Sequence, residues 1–103
     1  MKKRIVFMGS PEFAVPALQA LIDHFHVVGV ITQPDRPAGR GRVLTPPPVK
    51  TLAIASGLQV IQPERIRQPK AMQQLIAWQP DAIVVAAFGQ ILRQEVLDLP
   101  PFG

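Results

Sequence analysis

With 103 residues the chain has room for one hydrophobic core and not two; its 48% apolar content is too high for disorder, yet no apolar run nears the ~20 residues of a membrane-spanning helix. The absence of cysteine excludes disulfides and thiolate-held metal, and a net charge of +4 permits an anionic partner without requiring one. The basic start at Lys2, Lys3 and Arg4 leads into an apolar stretch broken by Gly9, Ser10, Pro11 and Glu12, which is not the form of an export signal, so a soluble cytoplasmic protein is expected.

Residues 4–9 form a short apolar run stopped by Gly-Ser-Pro, the pattern of a strand buried on both faces. From Phe13 the apolar positions 13, 14, 17, 18, 21 and 22 recur at helical spacing, which predicts a helix to about Asp23 with Pro16 tolerated in its first turn. Residues 26–32 are β-branched and apolar and read as a second buried strand; the helix between the two strands implies parallel pairing through a right-handed crossover. Residues 33–48 contain five prolines and two glycines and keep no hydrophobic period, which predicts a long loop.

A second helix is predicted over residues 49–56, closed by Gly57, and a short third strand over 58–61 that Pro63 ends. Pro69 opens a third helix whose apolar face includes Met72, Leu75 and Ile76, and Pro80 forces its end after Trp78. Residues 81–87 form the fourth strand around an Ile-Val-Val block, Phe88-Gly89 breaks it, and a short helix over 94–97 is expected after it. Strands alternating with helices in this way define an α/β fold, the first half of a Rossmann-like, doubly wound parallel sheet, here truncated to about four strands in the order 3-2-1-4. Strands one and four then lie side by side with connections leaving in opposite directions, so a ligand crevice opens beyond their carboxyl ends, flanked by residues 10–12 and 88–90.

The turn after the first strand stands where a dinucleotide-binding protein carries its glycine-rich turn, but the second and third glycines are absent and Glu12 adds negative charge at the helix entrance. Binding of NAD or ATP is therefore disfavoured, and Ser10 reads as a helix N-cap with Glu12 favouring the helix dipole. The long loop brings Arg36, Arg40 and Arg42 into seven positions with Gly39 and Gly41 between them. With Lys50, four cations stand against Asp35, a net of +3 out of the chain's +4. Arginine forks suit phosphate oxygens, whereas a solvated loop could carry the same charge for solubility alone. His24 and His26 lie far in sequence from any carboxylate cluster and read as boundary residues, and Trp78 reads as a packing residue.

The stretch Arg-Ile-Val-Phe-Met-Gly-Ser-Pro-Glu-Phe at residues 4–13 resembles the opening of the methionyl-tRNA formyltransferase family. The resemblance extends to Thr-Gln-Pro-Asp-Arg-Pro-Ala-Gly-Arg-Gly at 32–41, followed by Leu44, Thr45, Pro46, Pro48, Val49 and Lys50, which is similar to that family's characteristic insertion, and to residues 86–92 with 97–100. It implies an enzyme moving a formyl group from 10-formyltetrahydrofolate to the amino group of methionine on initiator tRNA, in translation initiation. Carried over residue by residue, the insertion contacts the tRNA acceptor end through Arg40, with Arg36 and Arg42 in support. Gln90, Ile91 and Leu92 line the folate site beside Phe88 and Gly89, and Phe13 and Phe88 bound the pocket. Arg93 and Pro47 depart from the family pattern.

The same resemblance places the Asn-x-His motif, the Ser-Leu-Leu-Pro motif after it and a later aspartate beyond Gly103, together with a C-terminal tRNA-binding domain. Residues 1–103 are accordingly expected to be the N-terminal part of the catalytic domain, holding no catalytic residue and no metal site, inactive alone, and open to self-association along an apolar strand edge, whereas the full enzyme is expected to be a monomer. Three other readings stand beside this one: a formyltransferase acting on a small amine or sugar nucleotide, a nucleic-acid-binding module without catalysis, and a nicotinamide-binding domain, the last weakened by the missing glycines.

Overall fold

The computed structural model describes residues 3–38, 41, 43–65 and 68–86. Among these residues six strands and three helices follow one another as β1 (Arg4–Gly9), α1 (Val15–His24), β2 (His26–Ile31), β3 (Arg36–Ala38), β4 (Val43–Thr45), α2 (Pro48–Ala55), β5 (Val60–Ile61), α3 (Pro69–Trp78) and β6 (Ala82–Ala86), with a 3-10 turn at Glu12–Ala14 leading into α1. Strands β5, β2, β1 and β6 form one parallel sheet in that order, the 3-2-1-4 arrangement expected of the four core strands.

The sheet is covered on both faces, which is why β1 reads as an unbroken apolar run. Ile5 and Phe7 point to one face and pack with Leu18 of α1 and with Val49 and Ala53 of α2. Val6 and Met8 point to the other and pack with Ala71, Leu75 and Trp78 of α3. The parity of β2 slips between positions that face Ile5 and Val6: Ile5 pairs with Val27 but Val6 pairs with Gly29. One extra residue on β2 turns both Val28 and Gly29 toward α3. Gly29 is required there, because a Cβ at this position would fall inside the Trp78 indole.

Trp78 is a packing residue, as its sequence setting suggests, and its indole Nε1–H donates to Gln59 Oε1 at 2.9 Å. Helix α3 ends where Pro80 requires; Gln79 takes the left-handed conformation at φ 49°. Arg4 closes this terminus: its guanidinium donates to Trp78 O through Nη2 (2.6 Å) and Nε (3.0 Å), while Arg4 N–H and Asp81 N–H exchange bonds of 2.7 Å with Asp81 Oδ2 and Arg4 O. Gly57 adopts φ +76° after α2, the C-terminal glycine role read from the sequence.

The stretch predicted as loop without structure differs. Residues 33–48 contain a two-stranded antiparallel hairpin in which Arg36 faces Thr45, Pro37 faces Leu44 and Ala38 faces Val43, with Gly41 at φ +81° between the strands. Strands of three residues, one of them holding Pro37, are too short to show an alternating pattern, so the ribbon leaves no periodic signal. The other elements fall within two residues of their expected bounds; the helix expected over 94–97 lies outside the described residues. No described helix is long and apolar enough to cross a membrane.

Candidate functional site

The carboxyl edge of the sheet gathers the ends of four strands, and two of them define the switch point. Gly9, last in β1, pairs with Ala86, last in β6, so these two tips lie abreast as the sequence pattern requires. Their approach is close: a Cβ on Gly9 would sit 2.7 Å from Ala86 O and 2.7 Å from the Phe7 ring. After the β1 tip the chain runs through Ser10 and Pro11 into the 3-10 turn, where Phe13 stands 74% exposed and Glu12 is exposed beside it.

Ser10 is not the helix cap expected of it. Pro11 occupies the cap position without a side-chain bond, because the chain enters the helix through a 3-10 turn. The Ser10 hydroxyl instead accepts Gln33 N–H at 2.9 Å, and Ser10 O accepts Val49 N–H at 3.3 Å. One residue thus ties the β1 tip to the segment that follows β2 and to the start of α2.

A second set of bonds fixes the root of the hairpin. Gln62, just after β5, uses its amide nitrogen twice, donating to Gln33 O at 3.0 Å and to Asp35 Oδ1 at 2.7 Å. Lys50 Nζ of α2 donates to both Asp35 oxygens at 3.1 and 3.2 Å. The Gln62 amide, then Lys50, hold the Asp35 carboxyl below its usual value. Thr32, fully buried, donates its hydroxyl to Gln33 O, and its N–H to Ile61 O. Lys50 and Gln62 lie 15 and 27 residues beyond Asp35, so no local window of sequence joins the three.

The expected site residues divide accordingly. Arg36, in β3, is exposed immediately beyond the anchored Asp35. Lys50, counted from sequence with the arginines as a loop charge, is paired to Asp35. Arg40 and Arg42, and the cofactor-binding set Phe88, Gly89, Gln90, Ile91 and Leu92, lie outside the described residues. His24 and His26 are exposed at a helix-to-strand junction, and among the described residues no group of three His, Asp or Glu is placed to hold a metal ion. A cavity of about 690 Å³ opens at the far end of the same edge, where Ile61, Gln62 and Pro63 face Gln68, Pro69 and Lys70. It lies beside β5, two strands from the β1–β6 switch point, and shares Gln62 with the hairpin root.

Together these features define a class: an α/β nucleotide-fold segment with a switch-point edge, no glycine-rich phosphate turn, and a basic hairpin rooted beside the first strand. Within that class the chain belongs to the formyl transferase family, whose sequence profile matches residues 2–103. It is 59% identical over 101 residues to the methionyl-tRNA formyltransferase of Chloroflexus aggregans, 57% to that of Bacillus subtilis and 57% to that of Trichlorobacter lovleyi, in each case over 97% of this chain. The chain spans about a third of the length of these relatives, 33% of the first and 32% of the other two.

Proposed function

We propose that this chain is the N-terminal part of the catalytic domain of a cytoplasmic enzyme that transfers a formyl group from 10-formyltetrahydrofolate to the amino group of methionyl-initiator tRNA. The observation that carries the reading is the hairpin: an arginine-bearing ribbon rooted by Ser10, Asp35 and Gln62 at the same edge as the β1–β6 switch point. A small amine or sugar nucleotide gives such a projection no task, whereas a long polyanion can lie along it while its end enters the crevice. Arg40 is the principal contact to the acceptor end, with Arg36 and Arg42 beside it, and Phe88, Gly89, Gln90, Ile91 and Leu92 line the folate site.

Formyl transfer needs a neutral amine as nucleophile and donors for the oxyanion of the tetrahedral intermediate. We assign neither role to residues 1–103: this segment binds and orients, and the groups that move protons lie outside it. The purified chain alone therefore forms no formyl-methionyl-tRNA above background, and with β6 at the sheet margin among the described residues it self-associates, so its light-scattering mass exceeds one chain.

The decisive test grafts residues 1–103 onto the remainder of the Bacillus subtilis relative. The chimera formylates methionyl-tRNA, and Arg40→Ala lowers kcat/KM for the tRNA while leaving the affinity for the formyl donor unchanged. A folded chimera that ignores methionyl-tRNA, or one that formylates a sugar-nucleotide amine equally well, overturns the proposal.

A further inference from the structure

The geometry points to a root clamp: Gln62 and Lys50 are positioning residues that, by holding Asp35 and the Gln33 backbone, set the direction in which the arginine hairpin leaves the sheet. Lys50 on this view is not itself a contact to the polyanion. The role in tRNA binding rests on the function proposed above; the clamp itself does not.

The hairpin needs such a device. It pairs over three residues a side, Pro37 supplies no N–H to the ladder, and Val43 and Leu44 are each 66% exposed, so little burial holds the ribbon in place. A two-stranded ribbon of this size has marginal stability of its own. Among the described residues its attachment is concentrated at one end, in the residues directly before Arg36. Gln33 N–H reaches Ser10 of the β1 loop, Gln33 O and the Asp35 carboxylate share the Gln62 amide, and Lys50 of α2 grips the same carboxylate. The β1 loop, the end of β5 and helix α2 thereby converge on two residues. Rotation about that root would redirect Arg36 and the ribbon that follows it, and the clamp opposes it.

The location of Lys50 argues against a phosphate contact. Its ammonium donates to both Asp35 oxygens and its side chain is 21% exposed, whereas Arg36 is exposed. To meet a phosphate, Lys50 would have to release a carboxylate that already satisfies its charge.

The test uses the 103-residue chain with Lys50→Met, Lys50→Arg, Gln62→Met and Arg36→Ala. In hydrogen exchange, Lys50→Met and Gln62→Met speed the amides of β3 and β4 about tenfold, the effect of losing a charge-assisted hydrogen bond, and leave those of β1 unchanged. Lys50→Arg retains protection. In titrations with tRNA at several salt concentrations, Lys50→Met weakens binding without altering the slope of log K against log salt, whereas Arg36→Ala makes that slope shallower by about 0.7–0.9 for each phosphate the arginine no longer neutralises. Unchanged exchange in the hairpin, or a shallower slope for Lys50→Met, overturns the clamp. Faster hairpin exchange in a chain whose wild type does not bind tRNA supports the clamp and counts against the function proposed above.

Discussion

Replacing Gly9 by alanine tests whether the two strand tips at the switch point are locked by contact. The added Cβ would sit 2.7 Å from Ala86 O and 2.7 Å from the Phe7 ring, whereas ordinary contact begins at 3.4 Å, so each neighbour must retreat by the difference, about 0.7 Å. Phe7 is fully buried between the sheet and the helices α1 and α2, and Ala86 O belongs to the backbone of β6, so neither can give way by a rotamer change. Relief from Ala86 O must come from parting β1 and β6, and relief from Phe7 by pressing its ring further into the packed layer of α1 and α2, an overpacking strain of about 1–3 kcal/mol. With an unfolding entropy of about 2.1 cal/mol/K per residue, that strain lowers Tm by about 5–14 °C in a chain of this length.

The assay is thermal unfolding of the chain followed by circular dichroism. A second reading comes from the chimera, where a shift of this size at a reacting edge lowers kcat/KM by up to about a hundredfold. A variant whose Tm stays within about 2 °C of wild type would show that the tips are not in steric contact, and the crevice geometry argued from them would go with it.

Other expectations follow from the same contacts. Gly29→Ala drives a methyl into the Trp78 indole and destabilises by about 1–3 kcal/mol, and in a Trp78→Leu background most of that loss disappears, a coupling that a double-mutant cycle in urea measures. Arg4→Met removes the guanidinium that donates to Trp78 O and Gln79 O and lowers stability by about 1–3 kcal/mol, read as a lower urea midpoint at unchanged m. Asp35 is held below its usual carboxylate value, chiefly by Gln62 and then by Lys50, so its contribution is fully present at neutral pH and is lost as pH falls through the depressed value. Hairpin amide protection, corrected for intrinsic exchange, therefore stays level from about pH 7 to 5 and declines only below about pH 4, and Asp35→Asn removes that dependence.

How much of this could be read from the sequence depended on how local each cause was. Strand β1 was legible to the residue because burial on both faces makes every position after Arg4 apolar. Helix α3 was legible because two prolines bracket it, and each acts on its own backbone. Strand β5 is shorter than the apolar run that marks it: Leu58 N–H closes α2 by donating to Ala53 O, leaving Val60 and Ile61 for the regular ladder. Ser10 looked like a cap because serine before an acidic residue usually is one, and the outcome turned on Gln33, 23 residues away. Hydrogen bonds between distant polar residues carry no periodicity, so the hairpin root was invisible while the hydrophobic layers were plain.

Charge shows the same division, with a consequence for binding. Counting Arg36, Arg40, Arg42 and Lys50 against Asp35 gives a net of +3, and pairing Lys50 with Asp35 leaves that total unchanged. What changes is the largest number of cations open to a partner, which falls from four to at most three once Lys50 is committed to Asp35. Each phosphate neutralised steepens log K against log salt by about 0.7–0.9, so the hairpin accounts for a slope no steeper than about −2 to −3, where four free cations would reach about −3 to −4. Removing all three arginines together should flatten the tRNA titration of the chimera by that smaller amount, with the remaining slope belonging to other surfaces. A larger change would mean that a further cation is recruited on binding, and Lys50 could supply it only by leaving Asp35.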